Sequence, residues 1–93
     1  MKHFDWDKDK SEVLKKERDI SFEEVVTALF EGRTLADEKH PNKKYPNQRI
    51  FVIEIDNYAY LVPYVEDKEK IFLKTVIPSR KATKKYLINK GKI

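Results

Sequence analysis

A segment near the end of the chain combines a helix cap with cations in a way that suits an anion. Pro78 cannot donate to a sheet ladder, which ends the preceding strand, and Ser79 is a good N-cap residue. Arg80 and Lys81 follow in the first helical turn, where the positive end of the helix dipole disfavours cations. This placement does nothing for the fold, whereas it suits a phosphate group. The alternative interpretation is a solvated basic tail helix.

The chemistry open to the remaining polar residues is cleavage of a phosphodiester. An arginine can stabilise the extra charge of a pentavalent transition state, and Tyr, Glu or His can move a proton at a 2′-hydroxyl. The candidate catalytic residues are Arg80, Arg49 and Tyr64, which we expect to meet Lys81 at one end of a sheet. The candidate RNA-binding residues are Lys81, Lys84, Lys85, Lys74 and His40.

Metal and cofactor chemistry has little support in this sequence. His3 and His40 are far apart, and neither has a second ligand at helical or strand spacing. The chain has no cysteine, which excludes a thiolate metal site and a disulfide. It has only two glycines, so a glycine-rich phosphate loop is absent. We therefore predict no metal site and no cofactor.

Two helices are predicted in the first third of the chain. Asp7 is the expected N-cap of a helix over Lys8–Arg18, which has few apolar residues and should lie on the surface. Ser21 with Glu24 three residues later forms a capping box that opens a second helix. Apolar residues at helical spacing follow, and Gly32 is the expected left-handed cap. Phe30, on that apolar face, is predicted to belong to the core.

Strand patterns fill most of the remaining chain. The predicted strands are His3–Trp6, Arg33–Asp37, Gln48–Ile55, Tyr58–Val65 and Lys70–Ile77, and the last three form an antiparallel meander. Pro63 lies within one of them and removes a ladder donor, so it should sit at a bulge or at a sheet edge.

The turn between the two long strands sets the register of the predicted sheet. A two-residue turn at Asp56–Asn57 pairs Phe51 with Val62 and Arg49 with Tyr64. A three-residue turn would change these neighbours. The two-residue turn places one set of apolar side chains on the core face: Phe51, Ile53, Tyr60, Val62, Ile71 and Leu73.

These elements predict one domain over residues 1–93, of the α+β class. We expect two layers: an antiparallel β-sheet with the two N-terminal helices packed on one face, and a C-terminal helix. A chain of this length can bury roughly 60–65% of its unfolded surface, enough for a thin core.

Charge is distributed unevenly along the chain. The net charge is +4, but residues 68–93 hold nine cations and one acid, whereas residues 1–67 hold eleven cations and fifteen acids. The C-terminal part is therefore the expected surface for a polyanion. The start of the chain has no apolar run, and no stretch approaches the roughly 20 apolar residues of a membrane span. We expect a cytoplasmic protein that does not bind a membrane.

Several motifs, in order, resemble those of a known family. They are Phe4–Asp7 with Lys10, then Ile20–Glu24, and Ile77–Thr83 near the end. Together they resemble the BrnT-type toxins of bacterial type II toxin–antitoxin systems over almost the whole chain. Three further residues stand where that family often has the same residue type: Asp37, His40 and Arg49.

The resemblance implies a RelE-like fold and an RNase that inhibits translation. It also implies a neighbouring gene for a cognate antitoxin of the ribbon-helix-helix type, which blocks the toxin and represses operator DNA. One departure concerns the end of the first helix, where many members have Lys-His-Gly and this chain has Lys16–Arg18. Glu17 thus replaces the family histidine. Relatives in the RelE superfamily can rely on Arg, Lys and Tyr without a histidine base.

Three classes of function are compatible with these observations. The leading hypothesis is a metal-independent endoribonuclease toxin. The second is a non-catalytic regulatory module that binds RNA, the ribosome or DNA through the basic C-terminal part. The third is a small structural protein whose charges only keep it in solution. The residues alone do not separate the three, and the resemblance favours the first.

Overall fold

The computed structural model describes residues 2–44 and 46–88. The strands are β1 (His3–Trp6), β2 (Thr34–Lys39), β3 (Gln48–Ile55), β4 (Tyr58–Glu66), β5 (Lys70–Leu73) and β6 (Ile77–Pro78). The helices are α1 (Lys8–Arg18), α2 (Phe22–Phe30) and α3 (Arg80–Thr83), the last followed by a π-helical turn, Lys84–Ile88. The fold is α+β, as predicted from the sequence.

The helix ends follow from capping chemistry. The Asp7 carboxylate accepts hydrogen bonds from two amides of the first turn of α1. Ser21 Oγ accepts one from the amide of Glu24, 3.2 Å away, which confirms the start of α2. Gly32 has a φ of +75°, and the next amide, of Arg33, donates to the carbonyl of Ala28. This arrangement is a Schellman motif and confirms the predicted left-handed cap.

The sheet is mixed, and the prediction of an antiparallel sheet was wrong in one respect. The strand order is β1-β5-β4-β3-β2, with β6 also paired to β4. The four strands from β2 to β5 are antiparallel to their neighbours, but β1 runs parallel to β5, with Trp6 opposite Leu73. A parallel pair needs a long connection, and here most of the chain supplies it. No local pattern in the sequence indicates such a pairing.

The register between β3 and β4 is the one that a two-residue turn requires. Asp56 and Asn57 have φ angles of 53° and 64°, as expected for a type I′ turn. Arg49 therefore faces Tyr64, and Phe51 faces Val62. The turn at Asp56–Asn57 therefore sets the register that places Arg49 opposite Tyr64, two of the candidate catalytic residues.

Pro63 lies within a central strand, neither at a sheet edge nor in a bulge as predicted. It pairs with Ile50 of β3 on one side of β4. On the other side, β4 pairs with β6 at Tyr60 and Leu61 and with β5 from Tyr64 onward. Pro63 falls where the partner strand changes, so its missing N–H leaves no ladder bond unmade. The predicted strand Lys70–Ile77 is accordingly interrupted after Leu73.

Helices lie on both faces of the sheet, so the predicted two-layer arrangement was incomplete. On the first face, Leu14 of α1 and three residues of α2 join the strand residues Ile53, Val62 and Leu73 in the main core. On the second face, Ala82 of α3 packs with Val52 and Ala59 in a smaller cluster. Side chains alternate along a strand, and the two clusters follow that alternation.

Phe30 was predicted to be a core residue and is instead 73% exposed. It sits at the last position of α2 and contacts the edge of the Phe4 ring, with 6.0 Å between ring centroids. The apolar pattern of α2 extends to Phe30 in the sequence, but the sheet does not bury this last residue of the helix. No helix of the described residues is long and apolar enough to cross a membrane.

Candidate active site

Three neighbouring strands each contribute one polar side chain to a cluster on the first face of the sheet. Asp37 comes from β2, Arg49 from β3 and Tyr64 from β4. Arg49 Nε donates to Asp37 Oδ1 over 3.1 Å, and Arg49 Nη2 donates to the Asp37 carbonyl over 3.0 Å. The Tyr64 hydroxyl donates to the same Oδ1 over 2.8 Å. We call these three residues the Asp37 cluster.

Tyr64 supports this cluster from inside the protein. The residue is 2% exposed, and its ring stacks on Phe51 with 4.0 Å between centroids and 10° between planes. Burial raises the pKa of Tyr64 to about 12, and the hydrogen bond to Asp37 adds to this shift. The phenol is therefore neutral at physiological pH and acts as a hydrogen-bond donor. Its burial favours a role in positioning Asp37 over a role as a proton acceptor.

Asp37 and Arg49 reach the surface, so this part of the cluster can meet a substrate. Their side chains are 41% and 40% exposed. Hydrogen bonds to Asp37 raise the pKa of Arg49, which keeps the guanidinium charged. Both side-chain bonds to Asp37 end on Oδ1, and within residues 2–44 and 46–88 no donor reaches Oδ2. The site thus offers a carboxylate oxygen that can accept a proton beside a cation that can stabilise an anion.

From the sequence we expected Arg80 and Lys81 to meet Arg49 and Tyr64 at one end of the sheet. In the structure Arg80 and Lys81 lie away from the Asp37 cluster. Ser79 caps α3, and its amide donates to the carbonyl of Ala59 on β4. Ala59 lies five residues before Tyr64, which separates them by about 17 Å along the strand. Moreover, α3 packs on the second face of the sheet, whereas Tyr64 belongs to the core of the first face.

The predicted RNA-binding residues lie at four places. Lys81 and Lys85 line a groove on the second face, between β2, β3 and the C-terminal helical segment. Lys74 follows β5, and its ammonium lies 5.6 Å from the ring centroid of Phe72. His40 directly follows β2, and its Nδ1 accepts a hydrogen bond from the Asn42 amide over 3.1 Å. Lys84 is exposed at the start of the π-helical turn.

Asp37 was not among the candidate catalytic residues, although it holds the cluster together. A charged residue in a short edge strand usually prevents that edge from pairing with another chain. Residue type alone does not distinguish this role from a catalytic one. One feature of the sequence could have pointed to Asp37. Side chains alternate between the two faces along β2, and this places Asp37 on the same face as Phe51, its partner in β3. A bulge between Thr34 and Ala36 shifts that register, and the sequence does not reveal the bulge.

No protein-family model matches this chain, and neither the curated proteins nor the solved structures contain a significant match. The site must therefore be interpreted from its own geometry. Among the described residues, no three His, Cys, Asp or Glu side chains are grouped in a way that could hold a metal ion.

The raised pKa of Tyr64 predicts a specific alkaline titration. A phenol that ionises near pH 10 in the unfolded chain and near 12 in the folded protein stabilises the fold below pH 10. That contribution is lost as the pH rises from about 10 to about 12. Urea unfolding across this range should show a steeper loss of stability for the wild type than for Tyr64→Phe. An ultraviolet difference titration that finds the Tyr64 transition near pH 10 would contradict the hydrogen-bonded, buried phenol.

Proposed function

We propose that this protein is the toxin of a bacterial type II toxin–antitoxin system, with a RelE-like fold and a metal-independent endoribonuclease activity. The observation that carries the proposal is the Asp37 cluster, in which a carboxylate and a charged guanidinium reach the surface side by side. The resemblance of the sequence motifs to the BrnT-type toxins supports the same function. The RNase action would inhibit translation in the cytoplasm.

The proposed reaction is transfer of the RNA phosphoryl group to the neighbouring 2′-hydroxyl. Asp37 Oδ2 accepts the 2′-hydroxyl proton while the 2′-oxygen bonds to phosphorus and the bond from phosphorus to the 5′-oxygen breaks. The products are a 2′,3′-cyclic phosphate and a 5′-hydroxyl, whose proton comes from the protonated Asp37 or from water. Arg49 stabilises the extra negative charge of the pentavalent transition state. The Tyr64 hydroxyl donates a hydrogen bond to Asp37 Oδ1, which leaves Asp37 Oδ2 to accept the proton of the substrate.

The partner in this proposal is a cognate antitoxin of the ribbon-helix-helix type, encoded next to the toxin. The antitoxin would bind operator DNA and block the exposed side of the Asp37 cluster. Because α3 packs on the other face of the sheet, blocking Asp37 and Arg49 does not require a contact with Arg80. We therefore expect inhibition to depend on access to Asp37 and Arg49.

One observation favours a second candidate function. The C-terminal helical segment carries four cations on the surface: Arg80, Lys81, Lys84 and Lys85. A non-catalytic module that binds RNA, the ribosome or DNA would use this surface and would need no Asp37 cluster. Such a module would bind nucleic acid without cleaving it.

The proposal predicts two linked results, growth arrest and cleavage of RNA. Expression without a neighbouring antitoxin gene should arrest growth, and the purified protein should cleave RNA in buffer with EDTA. Mass spectrometry of the fragments should find cyclic phosphate and 5′-hydroxyl ends. Normal growth with folded protein present, together with intact RNA in the purified assay, would refute the toxin proposal. Binding without cleavage would favour the non-catalytic module.

A further inference from the structure

A groove on the second face of the sheet is formed where α3 and the π-helical turn lie beside β2 and β3. It has a volume of about 330 Å³, within the range of small-molecule sites. Its floor is aliphatic and consists of Ile50, Val52, Leu61 and Ala82. Tyr86 and Pro41 also line it. We call this feature the C-terminal groove.

Charged side chains surround the apolar floor. Three are lysines, Lys39, Lys81 and Lys85, and one is a carboxylate, Glu38. Lys85 places its ammonium 5.1 Å from the ring centroid of Tyr86. Within the described part of the chain, the side chains of Glu38, Lys39 and Lys81 make no hydrogen bond or ion pair with one another or with other residues. These charges therefore remain available to a ligand.

We infer that the C-terminal groove binds one nucleotide of a single-stranded RNA. The aliphatic floor suits the flat, apolar face of a base, and the ammonium groups of Lys81 and Lys85 suit the phosphates on either side of it. The lysines account for phosphate binding, but Glu38 does not. A carboxylate at this position would accept a hydrogen bond from an exocyclic amino group of a base. A carboxylate accepts a hydrogen bond from the N4 amino group of cytosine, whereas uracil presents an oxygen at that position.

The position of the groove relative to the Asp37 cluster supports a single RNA strand. Asp37 and Glu38 are consecutive residues of β2, so their side chains project to opposite faces of the sheet, about 3.4 Å apart along the strand. Lys39, at the end of β2, borders the groove, and because it pairs with Arg49 its side chain alternates toward the face of the Asp37 cluster. Because β2 is the edge strand, a strand of RNA can pass around it from one face to the other. The inference rests on the proposed ribonuclease function for this connection.

An acidic protein segment with aliphatic side chains is the other occupant that this groove could accept. Lysines around an aliphatic floor would suit it, but Glu38 would then repel the carboxylates of the partner. The nucleotide uses Lys81, Lys85 and Glu38 together, so it is the occupant that we test.

The test measures binding of a short 2′-O-methyl oligocytidine, which lacks the 2′-hydroxyl nucleophile and cannot be cleaved. We compare Lys81→Ala/Lys85→Ala with a control of equal charge, Lys8→Ala/Lys68→Ala, which removes two exposed lysines outside the groove. Loss of two phosphate contacts should lower the slope of log K against log salt by about 1.4 for the groove variant alone. Circular dichroism checks that each variant is folded.

A second arm tests the base. The wild type should bind oligocytidine about fivefold or more tightly than oligouridine, and Glu38→Gln should remove most of that preference. Equal binding of the groove variant and the control would overturn the inference, as would an unchanged preference in Glu38→Gln. Binding of cytidine monophosphate as tight as that of the oligonucleotide would overturn the RNA strand as the ligand. Because no arm requires cleavage, a wild type that binds through the groove but leaves RNA intact would refute only the ribonuclease proposal.

Discussion

Replacing Arg49 with alanine is expected to lower the rate of RNA cleavage by about 10²–10³, the usual loss when one transition-state donor is removed. Arg49 is half-exposed and lies near the start of β3, so the substitution should leave the fold intact. Stability and activity are thus expected to change independently. Arg49→Lys keeps the charge but loses the planar fork that reaches Asp37 through two nitrogens, so we expect an intermediate rate.

The measurement is single-turnover cleavage of a model RNA in EDTA, with thermal unfolding of each variant. Lys8→Ala is the matched control, because it removes an exposed cation outside the cluster. Arg80→Ala distinguishes between the two candidate arginines. If Arg80→Ala abolished cleavage while Arg49→Ala did not, the chemistry would lie at the start of α3, and the assignment to the Asp37 cluster would be wrong.

The second large effect is expected for Asp37→Asn. Asparagine keeps an oxygen that can accept from Tyr64 and Arg49, but it cannot accept the proton of a 2′-hydroxyl as a carboxylate does. Loss of a general base typically costs about 10²–10⁴ in rate.

Glu12→Gln, an exposed neutralised acid on α1, is the control for this substitution. Asp37→Asn with wild-type cleavage would show that the carboxylate only holds Arg49 in place. Tyr64→Phe should have a smaller effect than Asp37→Asn, because its hydroxyl acts through Asp37.

Local chemistry determined the parts of the fold that could be predicted. Asp7, Ser21 and Gly32 set helix ends through contacts within a few residues, and Asp56–Asn57 fixed the register of a hairpin. These signals depend on neighbours in sequence, so the sequence shows them directly. They were sufficient to place Arg49 beside Tyr64.

The remaining features depend on contacts between distant segments. Asp37 reaches Tyr64 across β3, from a strand whose register contains a bulge. Arg80 was predicted to share a site with Arg49 because Arg80 and Arg49 both lie near the ends of strands. The sequence did not indicate that α3 would pack on the second face, since Ala82 is a small residue that fits either face. Packing on the sheet decided the position of Arg80, and local propensity did not.

The parallel pairing of β1 with β5 also has a consequence for the order in which the chain assembles. Trp6 lies opposite Leu73, a partner synthesised 67 residues later, and such non-local pairings slow folding because loop closure precedes the contact. At synthesis rates of about 5–20 residues per second, the first strand waits roughly 3–13 s before its partner exists. During that interval Phe4 and Trp6, which later pack against the main core, have no sheet to join. Strand β1 is therefore synthesised well before the partner that places it in the sheet, and a nascent chain that stops before β5 cannot complete the core.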